Sequence, residues 1–375
     1  MSKELKLLDL FGIYPIAEVL SRHFTFADIY RLRCVSRSFR DAVKSLEETR
    51  LNINIFLKDF VDDCDEFRYA LGKNDAILIG LFVISFLTSS NPRAFYLEVM
   101  VEQGSRADAF VKHLQTRERY KKSTKKDSTG VTYQRVASTT MGIRVITTKH
   151  LPILERLWTC YTTAELSFMT WNKVYTLFPQ ETIGRHKLWP LRELDDYLGR
   201  LLVYLGTQGW TSRDIVWPDL NSDPIFRSSC RRVGDQYSFI KPLSPVLSYC
   251  RGIAPDSVIG NAAFDVVDSR RVNPDAPQTS PSRVERAYGV YTDVAELKSP
   301  SLKYRYTAGL DTSAGSWQVF LEKHLRRWTL TELYKMKKEK QHRDLTAPLP
   351  SNFEVPASWN YADDQMAIWH QSWLA

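Results

Sequence analysis

Cysteine is scarce and scattered in this chain: Cys34, Cys64, Cys160, Cys230 and Cys250 are the five among 375 residues, with no Cys-x-x-Cys and no histidine at ligand spacing. That pattern excludes a disulfide-stapled scaffold and a structural zinc site, and it fits a reducing compartment. Long apolar runs are also lacking. The longest, from Ala76 to Leu87, is too short to cross a bilayer and is interrupted by Gly80 and Ser85. No short apolar run follows a basic start, so we expect no secretory signal and an intracellular setting, in cytoplasm or nucleus. The histidines, at 23, 113, 150, 186, 324, 342 and 370, lie far apart, and no G-x-S-x-G elbow is present. No catalytic set, metal ligand or cofactor emerges from motifs, although triads assemble in space rather than in sequence.

What is there suffices for two or three domains. A chain with 43% hydrophobic and 12% aromatic residues buries real cores and is not disordered. The net charge of +8 is partly concentrated in Lys112-His113, Arg117, Arg119, Lys121-Lys122 and Lys125-Lys126. Ser123, Thr124, Asp127, Ser128 and Gly130 surround these lysines, and only Tyr120 offers an aromatic stacking face. The run reads as a solvated basic loop; the alternative is nucleic-acid contact through Lys121, Lys122, Lys125 and Lys126.

The N-terminal stretch carries the clearest pattern. Pro15 suits a first helical turn, with Ile16, Val19 and Leu20 on one face. Asp28, Ile29, Leu32 and Val35 recur at helical spacing, and Ser36 stands as N-cap of a helix from Arg37 to about Thr49, with Phe39, Val43 and Leu46 turned inward. Three helices this short need a partner to bury their faces. The spacing Pro15-Ile16, Val19-Leu20, Asp28-Ile29, Leu32, Val35-Ser36-Arg37, Phe39-Arg40 resembles an F-box, with Tyr14-Pro15 in place of the usual Leu-Pro. The resemblance implies docking to the Skp-type adaptor of a cullin ubiquitin ligase through Pro15, Ile16, Leu20, Ile29, Leu32 and Val35. The other reading is a helical cap on the following domain.

Further along, the spacing predicts a helical stretch over Ile53 to Leu71, a strand over Ala76 to Gly80, and a helix from Leu81. It predicts a strand over Phe95 to Val101, an amphipathic helix over Ser105 to Tyr120, and a strand pair over Val131 to Val136 and Gly142 to Thr147. Helices are expected at Pro152 to Tyr161 with Leu154, Leu157 and Trp158 inward, at Glu165 to Leu177, and at Leu191 to Leu205 through Leu194 and Leu198. Arg251 to Arg283, with Pro255, Pro274, Pro277 and Pro281, reads as a long loop. Ser316 to Trp328 is an amphipathic helix, and Thr329 with Glu332 suggests a capping box opening another.

The order strand, Gly80, helix, strand, together with Gly142-Ile143-Arg144-Val145-Ile146, Leu154-Glu155, the run from Cys160 to Thr170, the run from Leu177 to Thr182 and Arg231-Arg232-Val233-Gly234-Asp235, resembles fungal F-box proteins that carry a nucleotidyltransferase-like domain. The likeness extends over roughly residues 50–245. Active members of that wider fold use a Gly-Ser turn for phosphates and three carboxylates for two divalent ions. Here Leu81 stands at the serine, Tyr96 at one carboxylate and Glu98 at the other, and the third strand offers Arg144. One acid cannot offset two closely spaced cations, and Glu98 is placed to pair with Arg144. The expected fold class is α+β: a three-helix F-box-like module (1–50), a degenerate nucleotidyltransferase-like mixed-sheet α/β domain (51–250), a linker (251–283) and a mostly helical C-terminal region (284–375). The expected role is a pseudoenzyme that recognises a protein client. Nucleic-acid binding in the remodelled cleft is the second reading, and a transferase with a rearranged metal site the third.

Overall fold

Short strands and helices make up this computed structural model, which describes residues 7–24, 26–41, 44, 51–88, 96–124, 130–135, 138–212, 230–246, 252–268, 290–336, 353 and 355–375. In chain order the strands are β1 (Ile77–Ile79), β2 (Tyr96–Glu102), β3 (Tyr120–Lys122), β4 (Val131–Arg135), β5 (Ser138–Thr148), β6 (Ser167–Met169), β7 (Lys173–Thr176), β8 (Lys187–Leu188), β9 (Thr211–Ser212), β10 (Cys230–Arg232), β11 (Phe239–Pro242), β12 (Ala263–Asp268), β13 (Val290–Asp293), β14 (Ala295–Leu297) and β15 (Tyr306–Ala308). The chain divides into two units. One comprises 1–152, 159–218 and 236–253; the other comprises 153–158, 219–235 and 254–375.

The first unit is built on an eight-stranded mixed sheet, in the order β11-β7-β6-β1-β2-β5-β4-β3, in which β2 and β5 are parallel and the other neighbours antiparallel. Leu97 and Val99 of β2 are fully buried while Tyr96 and Glu98 are half-exposed, as a period of two requires. The helix Leu81–Thr88 is buried all round except at Leu81, so it is a core element rather than an amphipathic cover. At one edge, Lys121 and Lys122 of β3 are exposed, a charged margin that discourages strand addition. They stand on a strand, not in a loop; Lys125 and Lys126 lie outside the described residues.

The N-terminal helices Leu7–Phe11, Tyr14–His23 and Phe26–Val35 fall within this first unit. Ile29 is fully buried in the sheet's core and Leu32 packs against it, while Phe11 meets Phe24 and Phe39 at ring distances of 5.9 and 6.1 Å. Ser36 caps the next turn, its Oγ accepting from the Phe39 amide at 3.3 Å. Residues 42, 43 and 45–50, with Val43 and Leu46 of the helix expected from Arg37 to about Thr49, lie outside the described residues.

Several elements differ from the sequence expectation. The stretch from Ile53 to Leu71 is two helices, Ile53–Leu57 and Cys64–Lys73, because Asp63 caps the second through the amides of Asp65 and Glu66. The run from Glu165 to Leu177 is the β6–β7 hairpin. Phe168 stacks on its cross-strand partner Tyr175 at 4.9 Å, and Ser167 bonds Thr176 at 2.8 Å. A short apolar run buried on both faces carries no period to tell strand from helix. Trp158 and Leu194 are exposed, not inward.

The second unit holds the three-stranded antiparallel sheet β10-β12-β13 and the pair β14–β15. The stretch expected as a loop after Arg251 supplies the helix Asp256–Gly260 and the central strand β12, whose pairing with β10 crosses the boundary expected at residue 250. The region from residue 284 thus contains strands as well as helices. Its helix Trp317–Lys335 is continuous: Thr329 donates back to the Leu325 carbonyl at 2.9 Å, and Glu332 is buried, taking Lys335 and the Asn360 amide, so no new helix opens there. Ser316 caps it at the Val319 amide. The C-terminal helix Met366–Leu374 contributes Met366, Trp369 and Trp373 to the core around Trp317, Leu321 and Leu325. Among the described residues no helix is long and apolar enough to cross a membrane.

Candidate functional site

The parallel register of β2 and β5 sets Glu98 beside Arg144 and Tyr96 beside Gly142. Arg144 Nη1 donates to Glu98 Oε1 at 2.7 Å, and its guanidinium lies 4.5 Å from the centre of the Tyr96 ring. Gly142 leaves room for that ring, since a Cβ there would stand 3.3 Å from Tyr96 Cδ1. The side chains of Glu98 and Arg144 are 23% and 18% exposed, so the pair is charge-assisted and partly shielded from water.

Gly80 follows β1, whose Ile79 faces Glu98 across the sheet. Its φ of +78° is a left-handed conformation, and a Cβ would lie 1.9 Å from Glu98 Oε2. The carboxylate therefore rests against the turn that opens the helix Leu81–Thr88. Leu81, at the next position, packs against Ile84, Ala164, Leu188, Leu205 and Trp210 rather than presenting a hydroxyl. Gly80, Tyr96, Glu98 and Arg144 thus converge, while Leu81 turns into a neighbouring apolar cluster. Chemically, the assembly offers one carboxylate already engaged by a guanidinium. Among the described residues no cluster of three or more histidine, cysteine or acidic side chains is placed to hold a metal ion.

The six residues expected to meet an adaptor do not share one surface. Pro15, Ile16 and Val35 are exposed, the last at 65%, and Leu20 is half-buried. Ile29 and Leu32 are committed to the core instead. The motif from Arg231 to Asp235 spans the end of β10 and the turn after it, with Arg231 and Val233 buried. Arg231 is held by Asp235, Arg232 Nη1 donates to Asn261 Oδ1 at 2.8 Å, and Gly234 leaves room for the Gly260 carbonyl, 2.7 Å from where a Cβ would be.

Sequence reasoning missed Asp265 altogether. The registers of β10, β12 and β13 put it across from Cys230 and Asp293, and its Oδ2 accepts from the Asp311 amide at 2.9 Å. Gly309 permits that approach, since a Cβ would fall 2.1 Å from the same oxygen. Burial, with added repulsion from Asp311 and Asp293 outweighing the amide donors, pushes Asp265 up to about 7 from an ordinary 3.8. A carboxyl raised on folding favours the folded state fully only below its unfolded value, and that contribution is lost as pH rises through the folded one. Urea midpoints at about pH 5 and about pH 8 are therefore expected to fall with pH in the natural chain and to converge in Asp265→Asn. Equal slopes in the two proteins would contradict this. Two buried carboxylates spaced along separate strands leave no signal in the sequence that they meet.

No family model matches the chain, and no curated protein does. Among solved structures, a CCA-adding enzyme in complex with CTP aligns with 32% of this chain and 28% of that one, at 16% identity and a TM-score of 0.24. The chain itself has a mixed α/β architecture with an eight-stranded mixed sheet.

Proposed function

We propose that this protein is a non-catalytic recognition protein, an F-box-type receptor whose nucleotidyltransferase-like domain binds a client rather than transferring a nucleotide. The observation that carries the reading is the 2.7 Å contact between Arg144 and Glu98. Two-metal catalysis needs carboxylates free to take divalent ions, and a guanidinium on the one acid at this position competes with them directly. Tyr96 in place of a second acid supports the same reading, because its ring stacks on that guanidinium and holds it over Glu98.

The docking half of the reading rests on apolar side chains left in water on the N-terminal helices. Ile13, Ile16, Val19 and Val35 are all exposed. Ile29 and Leu32 serve as the ballast that anchors these helices to the first unit, and the exposed set supplies the contact with the adaptor. Capture of a purified Skp-type adaptor by the full-length protein tests it. Binding is expected, and Ile16→Asp combined with Val35→Asp is expected to weaken it by at least about tenfold, as loss of two apolar anchors would. No capture, or equal capture by the double variant, overturns the docking role.

A further inference from the structure

His370 is 5% exposed, and neither of its ring nitrogens has a hydrogen-bond partner among the described residues. It sits on the C-terminal helix Met366–Leu374, with its ring 4.9 Å from that of Trp317, edge-on, and 5.5 Å from that of Trp373. A neutral imidazole is tolerated there as a flat, weakly polar filler between two indoles. An imidazolium is not, since it would bring two N–H donors and a full charge into a slot where neither nitrogen meets an acceptor among the described residues.

The charged groups acting on His370 come from the end of β10 and the turn after it. Arg232 opposes a second positive charge, and Asp235 favours one but is already engaged by Arg231 and the Arg232 amide. The helix Trp317–Lys335 meets it with the neutral Trp317 ring. The remaining ties of the C-terminal helix are apolar contacts through Met366 and Trp369, the contact of the Trp369 ring with that of His324 at 5.3 Å, and the bond from Trp373 Nε1 to the Gly315 carbonyl at 2.8 Å. His324 is thus a second titratable ring at this contact, but unlike His370 it has a partner, its Nδ1 lying 2.8 Å from the Phe320 carbonyl.

We propose that the C-terminal helix is an acid-released clasp: protonation of His370 undocks Met366–Leu374 from the helix Trp317–Lys335 and bares the seam between Trp317 and Trp373. This goes beyond the recognition role and does not depend on it. Burial first, and Arg232 second, pull His370 down to about 4 from an ordinary 6.5. A histidine depressed on folding favours the docked state above its unfolded value and loses that contribution as pH falls toward the folded one. At about pH 4.5 the docking equilibrium is weakened by roughly one to two orders of magnitude relative to neutrality.

Hydrogen exchange on the full-length protein tests this, with protection factors corrected for the intrinsic pH dependence of exchange. Amides of residues 366–374 are expected to lose protection between about pH 7 and about pH 4.5 in the natural chain and to keep it in His370→Phe, whose ring fills the slot without titrating. Protection that is unchanged by pH in the natural chain, or lost equally in both proteins, overturns the clasp. Should the phenylalanine variant fail to fold, an NMR titration of the natural chain decides: His370 titrating well below the other histidines upholds the proposal, and titration at an ordinary value refutes it.

Discussion

Arg68→Ala is expected to cost the first unit about 3–5 kcal/mol. The Arg68 side chain is 1% exposed, and its guanidinium donates to three acceptors far apart in sequence: Nε to the Trp171 carbonyl at 2.8 Å, Nη1 to Asn54 Oδ1 at 3.2 Å and Nη2 to the Ser244 carbonyl at 2.6 Å. The carboxylate of Asp65 is 3.9 Å away. Burial lowers the Arg68 pKa, and the group ties the helix Cys64–Lys73 to the β6–β7 turn and to the chain beyond β11. Truncation leaves two backbone carbonyls and an amide oxygen without their donor and opens a void. Urea unfolding, with native-state hydrogen exchange assigning the transition to the first unit, measures the loss. A cost below about 1 kcal/mol would show that water replaces the guanidinium at little expense.

Gly80→Ala is expected to cost about 3 kcal/mol, through two separable effects. One is the left-handed backbone at φ +78°, which a Cβ penalises by about 1–2 kcal/mol. The other is steric. The new methyl would lie 1.9 Å from Glu98 Oε2, so the carboxylate must move and surrender its bond to Arg144. A double-mutant cycle separates them, because Glu98→Ala removes the object of the collision and leaves the backbone strain. The paired variant should be more stable than the sum of the single losses by about 1–2 kcal/mol. Strict additivity would mean that the carboxylate does not rest on this turn.

Much of the first unit is legible in its sequence. The strand period places Leu97 and Val99 inward and Tyr96 and Glu98 together on the other face, and the opposite charges of Glu98 and Arg144 make their meeting readable once β2 and β5 are strands. Ser36, read as an N-cap, accepts from the Phe39 amide as a cap does. The rest is hidden for identifiable reasons. Ile29 has the same helical phase whether it faces an adaptor or its own core, so periodicity alone does not place it. Arg68, near Asp65 and Glu66, has the look of a surface arginine until Trp171 and Ser244 fold onto it. The β6–β7 hairpin hides in a run without alternation, and β12 hides behind the prolines and glycine around it. Asp265 and His370 owe their character to burial by distant strands and helices. Sequence spacing carries none of that.

The measurement that bears most directly on the proposed non-catalytic role is magnesium-dependent nucleotide incorporation, assayed on the natural chain and on Glu98→Ala, with binding of magnesium–triphosphate followed in parallel. An arginine-capped, single-carboxylate site gives incorporation no higher than a protein-free blank in both proteins, and no magnesium-dependent gain in triphosphate binding. Robust incorporation by the natural chain that disappears in Glu98→Ala would contradict it.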